Sequence, residues 1–434
     1  MKVKKDKIKL ITLGCSKNLV DSEFILNQMK SNDIEIVEDE SLAENVIINT
    51  CGFIESAKQE SIDTILRAVE LKKEGKLKNV YVAGCLSDRY KDMLEKDIPE
   101  VDKYFGATDK PQTIFSILNE LGVDYKKNLI GERSLTTPPH YAYLKISEGC
   151  NNPCSFCAIP IMRGVHYSKP LNEILTEAEN LASMGVKELV IIGQDTTYWG
   201  FDIDKKRNLA TVLLELSKVK GIEWIRLMYA YPSRFPLDVI EVIKNTSNIC
   251  KYIDIPIQHI SDDVIKSMRR GITKRSLTQL LEKFRIEIPE ISIRTTIITG
   301  YPDETEKDFC ELLDFIKEFK FDRLGVFTYS HEDDTYASNI PDRIPFKEKL
   351  NRQKIILDAQ REISVLKNKA SVGNIVKVIV DRRENDYYVG RTYKDAPEID
   401  QEVFINNKDL QTGEFYNVEI FDAEEFDLFG EVIN

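Results

Sequence analysis

Through most of the chain, short runs of aliphatic and β-branched residues alternate with longer stretches whose apolar positions recur three and four apart. The runs Ile8–Leu13, Val46–Asn49 and Val80–Ala83 read as strands, and Leu19–Met29 and Ile54–Leu71 read as helices between them. That order predicts a parallel sheet with right-handed crossovers, with room for one more short strand near Ile34–Val37. A polar run and Pro138-Pro139 then mark a linker. Beyond it come strand-like runs at Tyr141–Ile146, Glu188–Ile192, Trp224–Met228, Tyr252–Ile255, Ile291–Ile298 and Leu324–Thr328. Helical patterns at Leu171–Met184, Leu209–Val219, Thr273–Phe284 and Glu304–Phe319 separate them, which predicts an open, partial version of the eight-unit βα barrel. Phe346–Ala370 is highly charged and is expected to be a solvated exit helix. The period then shortens: Val372–Val380, Tyr387–Thr392, Glu402–Ile405 and Glu414–Phe421, with Gly, Asn and Asp between them, predict a small antiparallel barrel. The expected class is α/β in three segments, 1–125, 136–368 and 371–434.

Composition supports this division. A length of 434 residues suggests roughly three domains, and 42% hydrophobic with 30% charged residues suits globular cores. No apolar run approaches the roughly 18 residues of a membrane span. Lys9 interrupts the apolar stretch near the start, which is too short for a signal peptide, so a cytoplasmic location is expected. The net charge of −12 disfavours general affinity for nucleic acid, whose binding depends on neutralising phosphates. From Ser371 onward there are 15 acidic and 6 basic residues, a net of −9 that suits a basic partner better than tRNA.

Eight cysteines in a long chain of this kind argue for metal or catalysis rather than a disulfide framework. Cys150, Cys154 and Cys157 lie within EGCNNPCSFCAIPIMR. Structural zinc would want a fourth ligand, and Asn151, Asn152 and Pro153 offer none, while His140 and His166 lie outside the loop. A 4Fe–4S cubane is the alternative, because three thiolates leave one iron open. Cys15, Cys51 and Cys85 each follow a strand, and strand carboxyl ends in a parallel sheet converge on one edge, so a second three-thiolate site is expected there. Gly14 and Gly84 would let backbone approach a bulky cluster. Three buried small apolar residues are the rival reading of the same triplet. Cys250 and Cys310 are expected to be inert core thiols. None of the four histidines, 140, 166, 259 and 331, carries a nucleophile motif.

The Cys150 loop, with Phe156 before its last cysteine, resembles the signature of the radical S-adenosylmethionine (SAM) enzymes. TLGCSKNLVDSE (Thr12–Glu23), NTCGFI (Asn49–Ile54) and VAGCLSDRY (Val82–Tyr90) further resemble the methylthiotransferases of that superfamily. SKNLVDSE, YSHEDDTYA (Tyr329–Ala337) and GRTYKDAPEID (Gly390–Asp400) are similar to the branch that modifies a ribosomal protein, although Asp303 and Gln401 stand where that branch usually has glycine. The resemblance implies two 4Fe–4S clusters and SAM. Cys150, Cys154 and Cys157 would hold the SAM-cleaving cluster, and Cys15, Cys51 and Cys85 an auxiliary cluster that delivers sulfur. Strand-end loops would contact SAM, which makes Gln194, Gln258 and Arg294 candidates. The terminal segment would be a TRAM domain. The substrate implied is an aspartate β-carbon of small-subunit ribosomal protein twelve, with a low-potential donor such as flavodoxin or ferredoxin. No acid–base residue is assigned. The other readings are a tRNA-adenosine methylthiotransferase and a non-catalytic iron–sulfur, RNA-binding module.

Overall fold

The computed structural model describes residues 6–107, 111–127, 129, 131–406 and 409–433. It divides into two compact units, one of residues 1–136, 143–151 and 158–180, the other of 137–142, 152–157 and 181–434.

The first unit is built on strands β1 (Ile8–Thr12), β2 (Asn45–Thr50), β3 (Asn79–Gly84) and β4 (Lys103–Tyr104), parallel and ordered β1-β2-β3-β4. Helices α1 (Ser16–Ser31), α2 (Glu55–Lys73), α3 (Cys85–Asp97) and α4 (Pro111–Glu120) complete the crossovers. β2 is buried along its whole length, because apolar layers cover both faces of the sheet: Val46 and Ile48 pack toward Ile65 and Ala68 of α2, Ile47 toward Ile25 and Met29 of α1. The extra strand expected near Ile34–Val37 is reduced to one bridge between Ile8 and Ile36, since the segment turns away after Val37 donates to the Ile8 carbonyl.

A second sheet is ordered β12-β11-β10-β9-β8-β5, formed by β5 (Tyr141–Lys145), β8 (Glu188–Ile192), β9 (Trp224–Leu227), β10 (Ile249–Asp254), β11 (Ser292–Thr299) and β12 (Arg323–Thr328). Six strands and an open edge are the partial barrel that the pattern predicts. Between β5 and β8 in the chain come β6 (Ser147–Glu148), α5 (Ile159–Arg163), β7 (Tyr167–Ser168) and α6 (Leu171–Ser183), of which all but the end of α6 belong to the first unit. The remaining helices are α7 (Phe201–Asp204), α8 (Leu209–Leu216), α9 (Asp238–Asn245), α10 (Asp262–Ser267), α11 (Lys274–Glu287), α12 (Glu306–Phe319) and α13 (Phe346–Lys369). Periodicity missed α9 and α10, which are one to two turns long and leave too few apolar repeats to register.

α13 is not the solvated helix its composition suggests. Lys349, Arg352, Ile356, Ala359, Gln360, Ile363, Ser364 and Asn368 form a buried face. Arg352 Nη1 lies 2.6 Å from Glu304 Oε1, Lys367 Nζ 2.6 Å from Asp322 Oδ1, and Gln360 donates to the Phe321 carbonyl. Long cationic side chains bury their stems and keep their charge paired, so a charge count cannot see such a face. Cys250 is buried as expected, but Cys310 is exposed on the outer side of α12.

The C-terminal segment closes as the barrel β13-β14-β15-β17-β16, formed by β13 (Ile375–Glu384), β14 (Tyr387–Thr392), β15 (Glu402–Ile405), β16 (Phe415–Ala423) and β17 (Asp427–Val432). β17 escaped the pattern because acidic residues bracket it. It runs parallel to β15 and seals the barrel. The loop after β14 sits under the six-stranded sheet. Arg226 Nη1 donates to the Tyr393 carbonyl at 2.6 Å, Tyr252 Oη to Asp400 Oδ2 at 2.8 Å, and Arg323 to Asp395. Glu188 is shared by two buried guanidiniums, Arg226 Nε at 2.7 Å and Arg391 Nη1 at 2.8 Å. Removing one partner of a buried ion network strands the others without solvation. Glu188→Ala is therefore expected to cost about 3–5 kcal/mol, read as a lower denaturant midpoint by the fluorescence of Trp224, whose ring stands 4.8 Å from Phe415.

Candidate functional site

The strand order brings Cys15, Cys51 and Cys85 to one sheet edge. Cys15 is the N-cap of α1, Cys51 follows the last residue of β2, and Cys85 opens α3 directly after β3. The glycines before Cys15 and Cys85 are required by close neighbours, the Cys51 side chain for Gly14 and the Thr50 backbone for Gly84. Gly14 has φ +90°, and a Cβ there would stand 2.6 Å from Cys51 Cβ. Gly84 has φ +101°, and a Cβ there would stand 2.4 Å from the Thr50 carbonyl oxygen. Any other residue would push the strand ends apart.

Asn18 ties the three ends together. Its Nδ2 donates to the Leu13 carbonyl at 2.9 Å and the Thr50 carbonyl at 3.0 Å, and its Oδ1 accepts from the Cys85 thiol at 3.8 Å. Burial pushes the Cys85 thiol up to about 12, partly offset by Arg163, with the neighbouring Cys15 and Cys51 adding to the rise. Burial likewise raises Cys51, with Cys15 again contributing. A cationic iron–sulfur core bound here would offset the burial that raises Cys51 and Cys85, taking up their thiolates and releasing their protons. Among the described residues no three His, Cys, Asp or Glu side chains come close enough to share a single metal ion. A cubane, whose corners separate its ligands, asks for wider spacing than one ion does.

The other triplet is positioned by two sets of contacts. β6 pairs antiparallel with β7 across the base of the loop, the Cys150 amide donates to the Gly164 carbonyl, and a Cβ on Gly149 would stand 2.2 Å from the Val165 carbonyl oxygen. Cys150 is buried, while Cys154 and Cys157 are partly exposed. Cys154 Sγ accepts from Arg270 Nη1 at 3.3 Å and lies 3.5 Å from Tyr231 Oη. Arg270 is buried against the Tyr231 ring, 4.3 Å from its centroid, and also donates to the Pro256 carbonyl. The backbone between the cysteines is pinned by Ser155, whose amide donates to the Met268 carbonyl and whose carbonyl accepts from Ala337. Phe156 packs on the cluster of Met268, Tyr301 and Tyr329. Arg270 thus holds a cationic N–H donor against the Cys154 sulfur.

The strand-end candidates differ in their surroundings. Gln194 lies just past β8, beside Asp195, whose carboxylate takes the Asn152 amide at 2.7 Å. Gln258 lies past β10 with φ +69°, bonds its backbone to Thr296 and Ile298, and keeps its side-chain Oε1 buried without a hydrogen-bond partner among the described residues. An orphaned buried acceptor beside a strand carboxyl end fits a ligand's donor. Arg294 sits lower on β11. Its Nη1 meets Asp254 at 2.9 Å, and its Nε meets Asp400 at 3.3 Å from the terminal barrel's loop. It joins Gln258 through Thr296, whose hydroxyl accepts from Arg294 and whose carbonyl accepts from Gln258. Asn18, Arg163, Tyr231 and Arg270 were not singled out from the sequence. For Asn18 there was a signal: it is three residues beyond Cys15 on one helix face.

These features together define a radical SAM enzyme with a three-cysteine N-terminal sheet domain and a TRAM barrel. Residues 7–106 match the family described as Uncharacterized protein family UPF0004, residues 144–316 the Radical SAM superfamily, and residues 372–433 the TRAM domain. The fold resembles TsrM, a radical SAM methyltransferase from Kitasatospora setae, with a TM-score of 0.54 at 12% identity over 74% of this chain and 72% of that one. Two relatives named ribosomal protein uS12 methylthiotransferase RimO are much nearer. That of Christiangramia forsetii is 52% identical, covering 100% of this chain and 95% of the relative. That of Cytophaga hutchinsonii is 54% identical, covering 99% and 98%. The chain belongs to the RimO family of methylthiotransferases, whose chemistry uses SAM and 4Fe–4S clusters.

Proposed function

We propose that the chain replaces a β-carbon hydrogen of an aspartate in ribosomal protein uS12 with a methylthio group, in the cytoplasm, drawing electrons from a low-potential protein such as flavodoxin or ferredoxin. The observation that carries this is the convergence of Cys15, Cys51 and Cys85 on one sheet edge, in a chain that also carries the Cys150 loop and matches RimO relatives end to end. Cys150, Cys154 and Cys157 would hold the SAM-cleaving cluster, and Cys15, Cys51 and Cys85 the auxiliary one. When bound, the first cluster and SAM supply a 5′-deoxyadenosyl radical. A β-carbon hydrogen is not acidic, so no side chain is asked to act as general base. Arg270 and Tyr231 would orient Cys154. Gln194 and Gln258 would meet SAM, and Arg294, held by Asp254 and Asp400, would support the same strand ends. The segments 1–125, 136–368 and 371–434 would serve as auxiliary-cluster, radical SAM and TRAM domains. The acidity of the last, with Asp422 and Glu424 exposed on it, suits a basic ribosomal protein.

The test is anaerobic reconstitution with iron, sulfide, SAM and reductant, offering purified uS12 and tRNA together, followed by mass measurement of both. The expected product is uS12 carrying one methylthio group in place of one hydrogen. A mass gain on tRNA with uS12 unchanged would overturn the reading.

A further inference from the structure

Arg163 ends the helix that follows the Cys150 loop, and its side chain is only 4% exposed. Its Nε–H donates to Cys85 Sγ at 3.2 Å, although the two residues are 78 positions apart. Nη1 donates to Asp21 Oδ2 at 2.8 Å, and Nη2 donates to Asn18 Oδ1, the same amide that binds the backbone before Cys15 and before Cys51. Asp21 already has a second cation, because Lys145 meets its other oxygen while also pairing with Glu148 at 2.6 Å. Neutralising Asp21 therefore does not require Arg163. The planar fork has its terminal nitrogens on Asp21 and Asn18, and this orients Nε on the sulfur. Asp21, Lys145 and Glu148 also line a cavity of about 280 Å³, so the far end of the network is accessible while the sulfur end is buried.

We infer that Arg163 is a positioning residue of the auxiliary site: it holds the Cys85 sulfur through an N–H···S bond, sets the electrostatics of the group bound there, and links that sulfur through Asp21 and Lys145 to Glu148 at the foot of the Cys150 loop. The inference rests on Cys15, Cys51 and Cys85 being cluster ligands. A hydrogen bond or a positive charge at a ligating sulfur favours the more negative, reduced state of a cluster and so raises its potential. Arg163→Gln removes both the charge and the fixed fork, whereas Arg163→Lys keeps the charge alone.

The experiment is an electron paramagnetic resonance redox titration of the full-length, two-cluster protein with and without SAM, alongside iron analysis. SAM perturbs the cluster it binds, so the SAM-insensitive signal reports the auxiliary one. The expected result is a more negative midpoint for that signal in Arg163→Gln, with Arg163→Lys between it and the wild type. If Arg163→Gln loses the SAM-insensitive cluster while the SAM-sensitive signal survives, the positioning role is supported as well, and Arg163→Lys then supplies the midpoint. An unchanged SAM-insensitive midpoint in both variants at full iron content would overturn the inference. So would parallel loss of both clusters from both variants, which marks a folding role. A wild-type protein with no SAM-insensitive cluster would overturn the assignment underneath it, a failure distinct from the others.

Discussion

Replacing Cys150, Cys154 and Cys157 together by alanine is expected to halve the iron of the reconstituted protein, from about eight atoms per chain for two cubanes, and to abolish SAM cleavage. Cleavage needs an iron left open by a three-thiolate site, and the triple change removes all three thiolates. Alanine also withdraws the acceptor of Arg270, a buried cation 3.3 Å from Cys154 Sγ, so part of the effect could be conformational. The same triple change to serine leaves that guanidinium an oxygen to donate to. Equal loss of iron and of 5′-deoxyadenosine formation in both variants assigns the effect to the metal. Iron retained at the wild-type level in either would sink the assignment of these three cysteines.

Replacing Cys15, Cys51 and Cys85 by alanine is expected to remove the other half of the iron and to stop methylthiolation, while leaving SAM cleavage measurable. The first unit should survive without this cluster. Its sheet is closed on both faces by apolar residues such as Val46, Ile48, Ile65 and Val80 on one side and Ile25, Met29, Ile47 and Leu118 on the other. Asn18 still bridges the Leu13 and Thr50 carbonyls, so the strand ends keep a clamp that needs no thiol. Metal often carries folding free energy, and circular dichroism with iron analysis on the same preparation separates that effect from a catalytic one. Product formed by a folded triple variant at the wild-type rate would refute the sulfur-delivering role. Loss of SAM cleavage together with methylthiolation would show that the two sites are not functionally separable.

Much of the candidate site was legible because its parts obey local rules. Cys150, Cys154 and Cys157 are close in sequence, so their spacing alone suggests a common centre. Cys15, Cys51 and Cys85 are far apart in the chain, yet each follows an apolar run, and a parallel sheet puts all such ends on one edge. The supporting residues were not legible in this way. Arg163 reads as the last residue of a short helix, and Asn18 and Asp21 read as ordinary polar positions of an amphipathic one. Arg294 reads as a polar residue near a strand end, and its partner Asp400 belongs to a different domain in sequence.

The sequence by itself determined the alternation of strands and helices, the change of period at the C-terminal barrel, and the two cysteine triplets with the chemistry their spacing permits. These depend on residues close in the chain or on the polarity of a sheet, which periodicity reports. Only the tertiary structure decided that Arg163 reaches Cys85, that α13 buries cations against Glu304 and Asp322, and that the loop before Asp400 seals the underside of the six-stranded sheet. The physical reason is that a charged side chain can be solvated, paired locally or buried against a distant partner at similar cost in sequence pattern. The packing of helices and strands in three dimensions selects the partner, by deciding which distant groups are brought within a hydrogen bond of one another.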